Sequence, residues 1–328
     1  MRIASLRALA VVFAVGGCSE EAHPRPVTTA GPTETFVEVD NGVRLAVLDW
    51  GGSGSALILL AGATHSAHIF EELAPHFTDQ RRVLGITRRR VGHSDAPAAE
   101  FGLGELVSDI VAVMNAFEIP KADFIAHSFG GAELSYLAIE HPGRVRKAVY
   151  LDAGWDFFEM YNADDWWEWP EIPMTAADSA SPQAVADYFA RTWGPLFPLS
   201  EIRATHRFDE SGKLVKLDPE VGDMFPGMIR DRLRPIDASA IQVPVLSVRA
   251  VPRDIYDFFM GIDSYGPTNR RRAEEAFARW MNVVIPASAR FAEEVPNAEV
   301  LVVPGGHHDI VTLQPESFVG IVRAFLAK

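Results

Sequence analysis

Ser128 stands in the run Phe124-Ile125-Ala126-His127-Ser128-Phe129-Gly130-Gly131, where an apolar stretch suited to a buried strand passes directly into one suited to a helix. A tight strand-turn-helix of this kind lifts a serine hydroxyl off the end of a sheet, and small residues two before and two after it let neighbouring backbones approach. Such a serine is equipped for nucleophilic acyl transfer, provided that a base takes its proton and N-H donors hold the developing oxyanion. The start of the helix supplies one donor, the N-H of Phe129. A second chemical possibility is metal binding, since His65-x-x-His68 has ligand-like spacing. No second spaced pair accompanies it, so the reading carries no metal, and His65 and His68 are expected to line a pocket or face solvent.

These groups need elements to hold them. Phe36 to Val39 and Arg44 to Asp49 read as a hairpin around Asn41-Gly42, a strong two-residue turn. Short apolar runs follow at Ala56 to Leu60, Arg82 to Ile86, Asp123 to Ala126, Val145 to Leu151, Val245 to Val248 and Glu299 to Val303, suited to strands buried on both sides. Helical patterns fall near 67 to 77, 103 to 117, 129 to 141, 269 to 283 and 315 to 327. This alternation predicts an α/β fold with a mostly parallel central sheet flanked by helices. The stretch from Trp155 to Asp237 interrupts it, shows no convincing buried strand and holds five of the seven tryptophans. It reads as an inserted helical cap whose aromatic rings favour an apolar pocket. The domain plan is therefore a core of residues 36–154 and 238–328 with an insert of 155–237.

At this point the chain resembles the α/β-hydrolase superfamily, over the core but not the insert. The elbow at Ser128 carries the likeness, with Ala126 where glycine is usual. Leu59-Leu60-Ala61-Gly62-Ala63 is similar to the family's loop after a strand end, with Ala61 replacing a histidine. Thr87-Arg88-Arg89-Arg90-Val91-Gly92-His93-Ser94 is similar to its Asp-x-Arg-Gly-x-Gly-x-Ser segment, with Thr87 and Arg90 departing. The resemblance implies a serine hydrolase, esterase-like and free of cofactors, with the N-H of Ala63 as the other oxyanion donor. It also implies a histidine base after the last strand, where Pro304-Gly305-Gly306-His307-His308-Asp309 offers two. Pro304 before it and Pro315-Glu316 after it favour His308 over His307.

The triad acid has two family positions. Asp254 lies in the loop after Val245 to Val248, one residue later than the pattern and without its glycine. Asp152 ends the strand after the elbow helix, 24 residues beyond Ser128. That distance suits one helix, a turn and a strand, and returns Asp152 to the serine's edge of the sheet. Asp152 is favoured, with Asp254 retained. Serine at the elbow speaks against the dehalogenase and epoxide-hydrolase relatives, which use aspartate there. The partner so implied is a small-molecule acyl substrate, apolar or aromatic. A lyase or a non-catalytic ligand-binding protein on the same fold is the alternative.

The N-terminus is a processing signal: Arg2 and Arg7 precede an apolar run, Ala8 to Val15, too short to span a bilayer. Val15-Gly16-Gly17-Cys18 resembles the lipobox of bacterial lipoproteins, which implies a signal peptide of residues 1–17 and a lipid on Cys18, the only cysteine. Residues 18–35 read as a proline-bearing tether. The expected location is the bacterial cell envelope, with membrane contact only through that lipid, or a secreted soluble form without it. With 44 acidic against 30 basic residues and a net charge of −14, nucleic acid is excluded as a partner. No protein partner is implied.

Overall fold

The computed structural model describes residues 31–40, 42–97, 101–158, 168–217, 233–296 and 298–328. Cys18, the leader and most of the tether lie outside these residues, as do Asn41, Tyr161, Trp166 and Trp167.

Eight of the strands form one sheet: β1 (Thr33–Asp40), β2 (Val43–Gly51), β3 (Ser55–Leu60), β4 (Arg81–Ile86), β5 (Ala122–His127), β6 (Val145–Leu151), β9 (Val245–Val251) and β10 (Ala298–Pro304). Their spatial order is β1-β2-β4-β3-β5-β6-β9-β10. The β1–β2 and β2–β4 pairs are antiparallel and the rest parallel. Side chains alternate across this sheet. Ile58, Leu60, Phe124 and Ala126 face one core, shared with the helices α1 (Leu103–Ala116) and α2 (Gly130–Glu140). Leu57, Leu59, Ile125 and Val149 face the other, which Ile69, Phe70 and Phe77 share with Phe325 and Leu326 near the C-terminus. Strands covered on both faces cannot carry polar alternation, which is why these runs read as continuously apolar.

The insert is mixed rather than purely helical. It contains α3 (Pro182–Thr192), α4 (Leu199–Thr205) and a hairpin of β7 (His206–Phe208) and β8 (Leu214–Leu217). Ser181 caps α3 by accepting the Ala184 N-H at 3.1 Å, with Pro182 in the first turn. The hairpin turn is drawn by Asp209, whose Oδ1 accepts the N-H groups of Ser211 and Lys213, and by Gly212 at φ +84°. These turn residues were readable in the sequence. Flanking strands of three and four residues were too short to register against the aromatic background.

The helical pattern near 269–283 runs further than expected, as α5 (Pro267–Arg279) and α6 (Ile285–Glu294) joined through a π-helical turn at Trp280–Val284. Pro286 lacks the N-H that an α-helical ladder requires there, and the wider turn lets the helix pass it. The pattern near 67–77 becomes two short 3-10 turns, and that near 315–327 a 3-10 turn followed by α7 (Val319–Ala327). Among the described residues no helix is long and apolar enough to cross a membrane.

Candidate active site

The turn between β5 and α2 places Ser128 at φ +49°, a left-handed conformation that a residue with a Cβ adopts only under constraint. The constraint is visible in the packing. A Cβ on Gly130 would lie 2.5 Å from the Leu60 carbonyl oxygen, and one on Gly131 would lie 2.5 Å from that of Ala153. Ala126 is fully buried and is not among the positive-φ residues, so alanine is accommodated in place of glycine. Ser128 itself is half-buried and reachable.

Asp152 follows the end of β6, also at positive φ, +43°. His308 follows β10 through Gly305, at φ +70°. These three strand ends bring their side chains into line. His308 Nε2 is 2.9 Å from Ser128 Oγ, and His308 Nδ1 is 2.7 Å from Asp152 Oδ2. The other Asp152 oxygen accepts the Ala250 N-H at 3.1 Å. Asp152 is 2% exposed and thus fixed on both oxygens.

Asp254 is not part of this group. Its Oδ1 accepts the N-H groups of Tyr256 and Asp257, capping a short helical turn, Ile255–Phe258. His307 is turned away as well: its Nε2 meets the Phe258 carbonyl at 3.1 Å and its Nδ1 accepts the Asp309 N-H. His127 donates from Nε2 to the His308 carbonyl at 2.8 Å and so steadies the base's own loop. Burial, helped by the neighbouring His308, lowers the His127 pKa to about 3 and keeps it neutral.

Arg88 is the main element that the sequence reading overlooked. Its guanidinium pairs with Glu133 of α2, from Nε to Oε1 at 2.9 Å and from Nη2 to Oε2 at 3.0 Å. It also donates to three carbonyls of the loop after β3: Ala61 at 2.6 Å, Ala63 at 2.9 Å, and Gly62. A trans peptide sets its N-H opposite its C=O, so holding the Gly62 oxygen turns the Ala63 N-H away from Arg88. Gly62 is itself close to the nucleophile, since a Cβ there would lie 3.3 Å from Ser128 Cβ. The available signal was an arginine and a glutamate in two runs otherwise destined for burial. Arg89, the arginine that fitted the motif register, instead pairs with Asp109 of α1 through two bonds of 2.7 and 2.6 Å. Of the departures, Thr87 accepts the Ala67 N-H at 3.0 Å, and Arg90, at φ +66°, reaches the Pro97 carbonyl.

The insert is tied to this edge by Glu201 of α4, which is 1% exposed. It accepts the Ser66 hydroxyl at 2.5 Å and the Ser66 N-H at 3.1 Å, and it lies 3.1 Å from His65 Nδ1. Burial pulls the His65 pKa down, but the hydrogen bond and charge of Glu201, with Asp309, outweigh it and leave the pKa raised. Asp309 shows the converse balance, burial raising its pKa and the surrounding histidines 307, 308, 65 and 127 leaving it lowered.

Rings enclose the base. Trp280, from the π-helical turn, has its centroid 4.9 Å from that of His308, and Trp155 lies 6.1 Å away. Trp155 also packs against Phe157 and Trp280. Trp169 and Trp193 pack with Phe259, and Trp169 also with Phe258.

A family model described as alpha/beta hydrolase fold matches residues 55–213. The chain is 32% identical over 114 residues to 2-hydroxymuconate semialdehyde hydrolase of Pseudomonas sp. strain CF600, a match covering 34% of this chain and 40% of that protein. It is 24% identical over 277 residues to 2-(acetamidomethylene)succinate hydrolase of Mesorhizobium japonicum, covering 84% of this chain and 89% of that one. Among solved structures, a carboxylesterase of Bacillus subtilis superposes with a TM-score of 0.57 at 18% identity, covering 91% of this chain and 92% of that chain. The matched stretches span 40%, 24% and 50% of the first three curated relatives. The protein has the α/β-hydrolase fold.

Proposed function

We propose that the protein is a serine hydrolase that cleaves carboxylic esters of small apolar or aromatic acyl groups through an acyl-enzyme. The observation that carries this reading is the unbroken line from Asp152 through His308 to Ser128, with contacts of 2.7 and 2.9 Å. Ser128 Oγ attacks the ester carbonyl carbon while its proton passes to His308 Nε2, and the carbonyl π electrons move onto oxygen. The N-H groups of Phe129 and Ala63 hold that oxyanion, the latter aimed by the Arg88 clamp on the Gly62 carbonyl. Collapse expels the alcohol, which takes the proton from His308. Water, deprotonated by the same histidine, then attacks the acyl carbon and releases the acid and Ser128. Asp152 holds the imidazole tautomer and stabilises its charged form. Nucleophile, base, acid and donors are all protein groups, so this reaction calls for no cofactor. The rings of Trp155 and Trp280 beside His308 support an apolar acyl group.

The test is labelling by a fluorophosphonate together with turnover of p-nitrophenyl esters of graded acyl length. Wild-type protein is expected to label and Ser128→Ala to lose both labelling and turnover, the latter by on the order of 10⁶-fold in kcat. Equal labelling of the variant overturns the reading, and equal turnover of short polar and longer apolar esters overturns its substrate part. We further propose that Cys18 carries a lipid that anchors the protein to the bacterial envelope. Metabolic labelling with an alkyne fatty acid tests this, with Cys18→Ala expected to remain unlabelled and soluble.

A further inference from the structure

Among the described residues, one place away from the serine brings three metal-ligating side chains together: Glu34, His68 and His93. They come from separate elements, respectively the start of β1, the 3-10 turn Ala67–Phe70 and the loop after β4 that also carries Arg88. One donor atom from each lies within 4.8 Å of the others. His93 Nδ1 is 2.9 Å from Glu34 Oε1, and His68 Nε2 is 4.0 Å from that same oxygen.

His68 Nε2 is the atom without an explanation. It is buried and has no hydrogen-bond partner, and 4.0 Å is too long for a bond to Glu34. Tetrahedral bonds of about 2.0–2.1 Å set zinc donors about 3.3 Å apart, so the 2.9 Å pair lies near that spacing and the 4.0 Å pair must close by somewhat more than half an ångström. His93 completes the set: its side chain is 46% exposed and its Nδ1 meets both Glu34 oxygens, at 2.9 and 3.1 Å. Two imidazoles and one carboxylate form a donor set that suits zinc, with the fourth position left to water. The Nδ1-H that His93 now offers Glu34 would move to its solvent-facing Nε2, freeing the Nδ1 lone pair for the metal.

We propose that Glu34, His68 and His93 form a zinc(II) site. Bound there, the ion staples the first strand to the segment after the Ala61–Ala63 loop and to the loop bearing Arg88, and so stiffens the scaffold behind the serine without entering its chemistry. The proposal is independent of the hydrolase reading, because it concerns binding and not turnover.

Zinc chloride titrated calorimetrically into chelator-stripped full-length protein is expected to bind one equivalent, and cobalt(II) chloride to give the visible absorption of a four- or five-coordinate site. His93→Ala and His68→Ala are each expected to weaken zinc by at least tenfold, and Glu34→Gln to do the same. A zinc-dependent rise in Tm should vanish in His93→Ala, whose metal-free melt should match wild type because its side chain is half-exposed. Absence of binding overturns the proposal. So does zinc binding of undiminished strength in His93→Ala, which would put the ion elsewhere, as at His307, His308 and Asp309.

Discussion

At the sheet edge, Ser128 and Asp152 follow directly on strand ends and His308 lies a short loop beyond one, and their neighbours are fixed by backbone or by buried charge: Asp152 by the Ala250 N-H, the Gly62 loop by Arg88 and Glu133. The insert is held differently. Its own core is small, with Val185, Ala186 and Ile202 at its centre, and one buried carboxylate, Glu201, ties α4 to Ser66 and His65. Ser128 and Asp152 follow strands held by a neighbour on either side, whereas His308 follows β10, the edge strand paired with β9 alone. A small satellite core tied by a few polar bonds has a low opening free energy. On the proposed function, chemistry belongs to the edge, and the insert, more loosely held, is the part expected to govern access.

The sharpest way to break that assignment is to change the two candidate acids in parallel. Asp152→Asn is expected to lower kcat by about 10⁴-fold, because an amide favours the wrong imidazole tautomer. Asp254→Asn should stay within about twofold. Equal losses in ester turnover would mean that the edge does not select its acid by position.

Next comes the Arg88 clamp. Removing one partner alone leaves a buried charge at a cost of about 3–5 kcal/mol, so the informative variant is the double change Arg88→Met with Glu133→Leu. Its melting temperature is expected near wild type, while kcat falls about 10²-fold with KM little changed, as suits a lost oxyanion donor. A normal kcat in a folded double variant would reduce the clamp to packing.

In the insert, Glu201→Gln keeps the shape and weakens the tie. A rise in KM of about tenfold or less is expected, with kcat nearly preserved and faster proteolysis confined to the insert. A loss in kcat as large as that of the Arg88 variant would erase the distinction between the two regions.

The smallest expected effect concerns pH. The His65 pKa is raised in the folded protein, so its stabilising contribution is complete below the ordinary value of 6.5 and is lost as pH rises through the raised one. The stability difference between wild type and His65→Gln, from urea unfolding, should therefore be larger at pH 5.5 than at pH 8.5. A constant difference would show that charge on His65 contributes nothing to the tie.

Much of the core was legible in the sequence because its signals are local. The continuously apolar runs of β3, β5 and β6 admit few other readings, and the strand-to-helix passage at Ser128 requires the small residues that surround it. The hairpin in the insert and the π-helical turn escaped notice because short strands and a tolerated proline leave almost no periodic trace. His308 over His307 rested on register, and the structure turns them in opposite directions.

What the sequence determined by itself was the order of the core strands and the strand-to-helix turn that carries Ser128, since both follow from hydrophobic period and turn chemistry within a dozen residues. Which carboxylate reaches the histidine was decided only in three dimensions. Asp152 and Asp254 both follow strands, but one ends against the Ala250 N-H at the serine's edge, whereas the other is spent capping a helical turn. The pairing of Arg88 with Glu133, and the gathering of Glu34, His68 and His93, likewise belong to tertiary structure. Their members lie tens of residues apart, and only the twist and order of the sheet bring them close together.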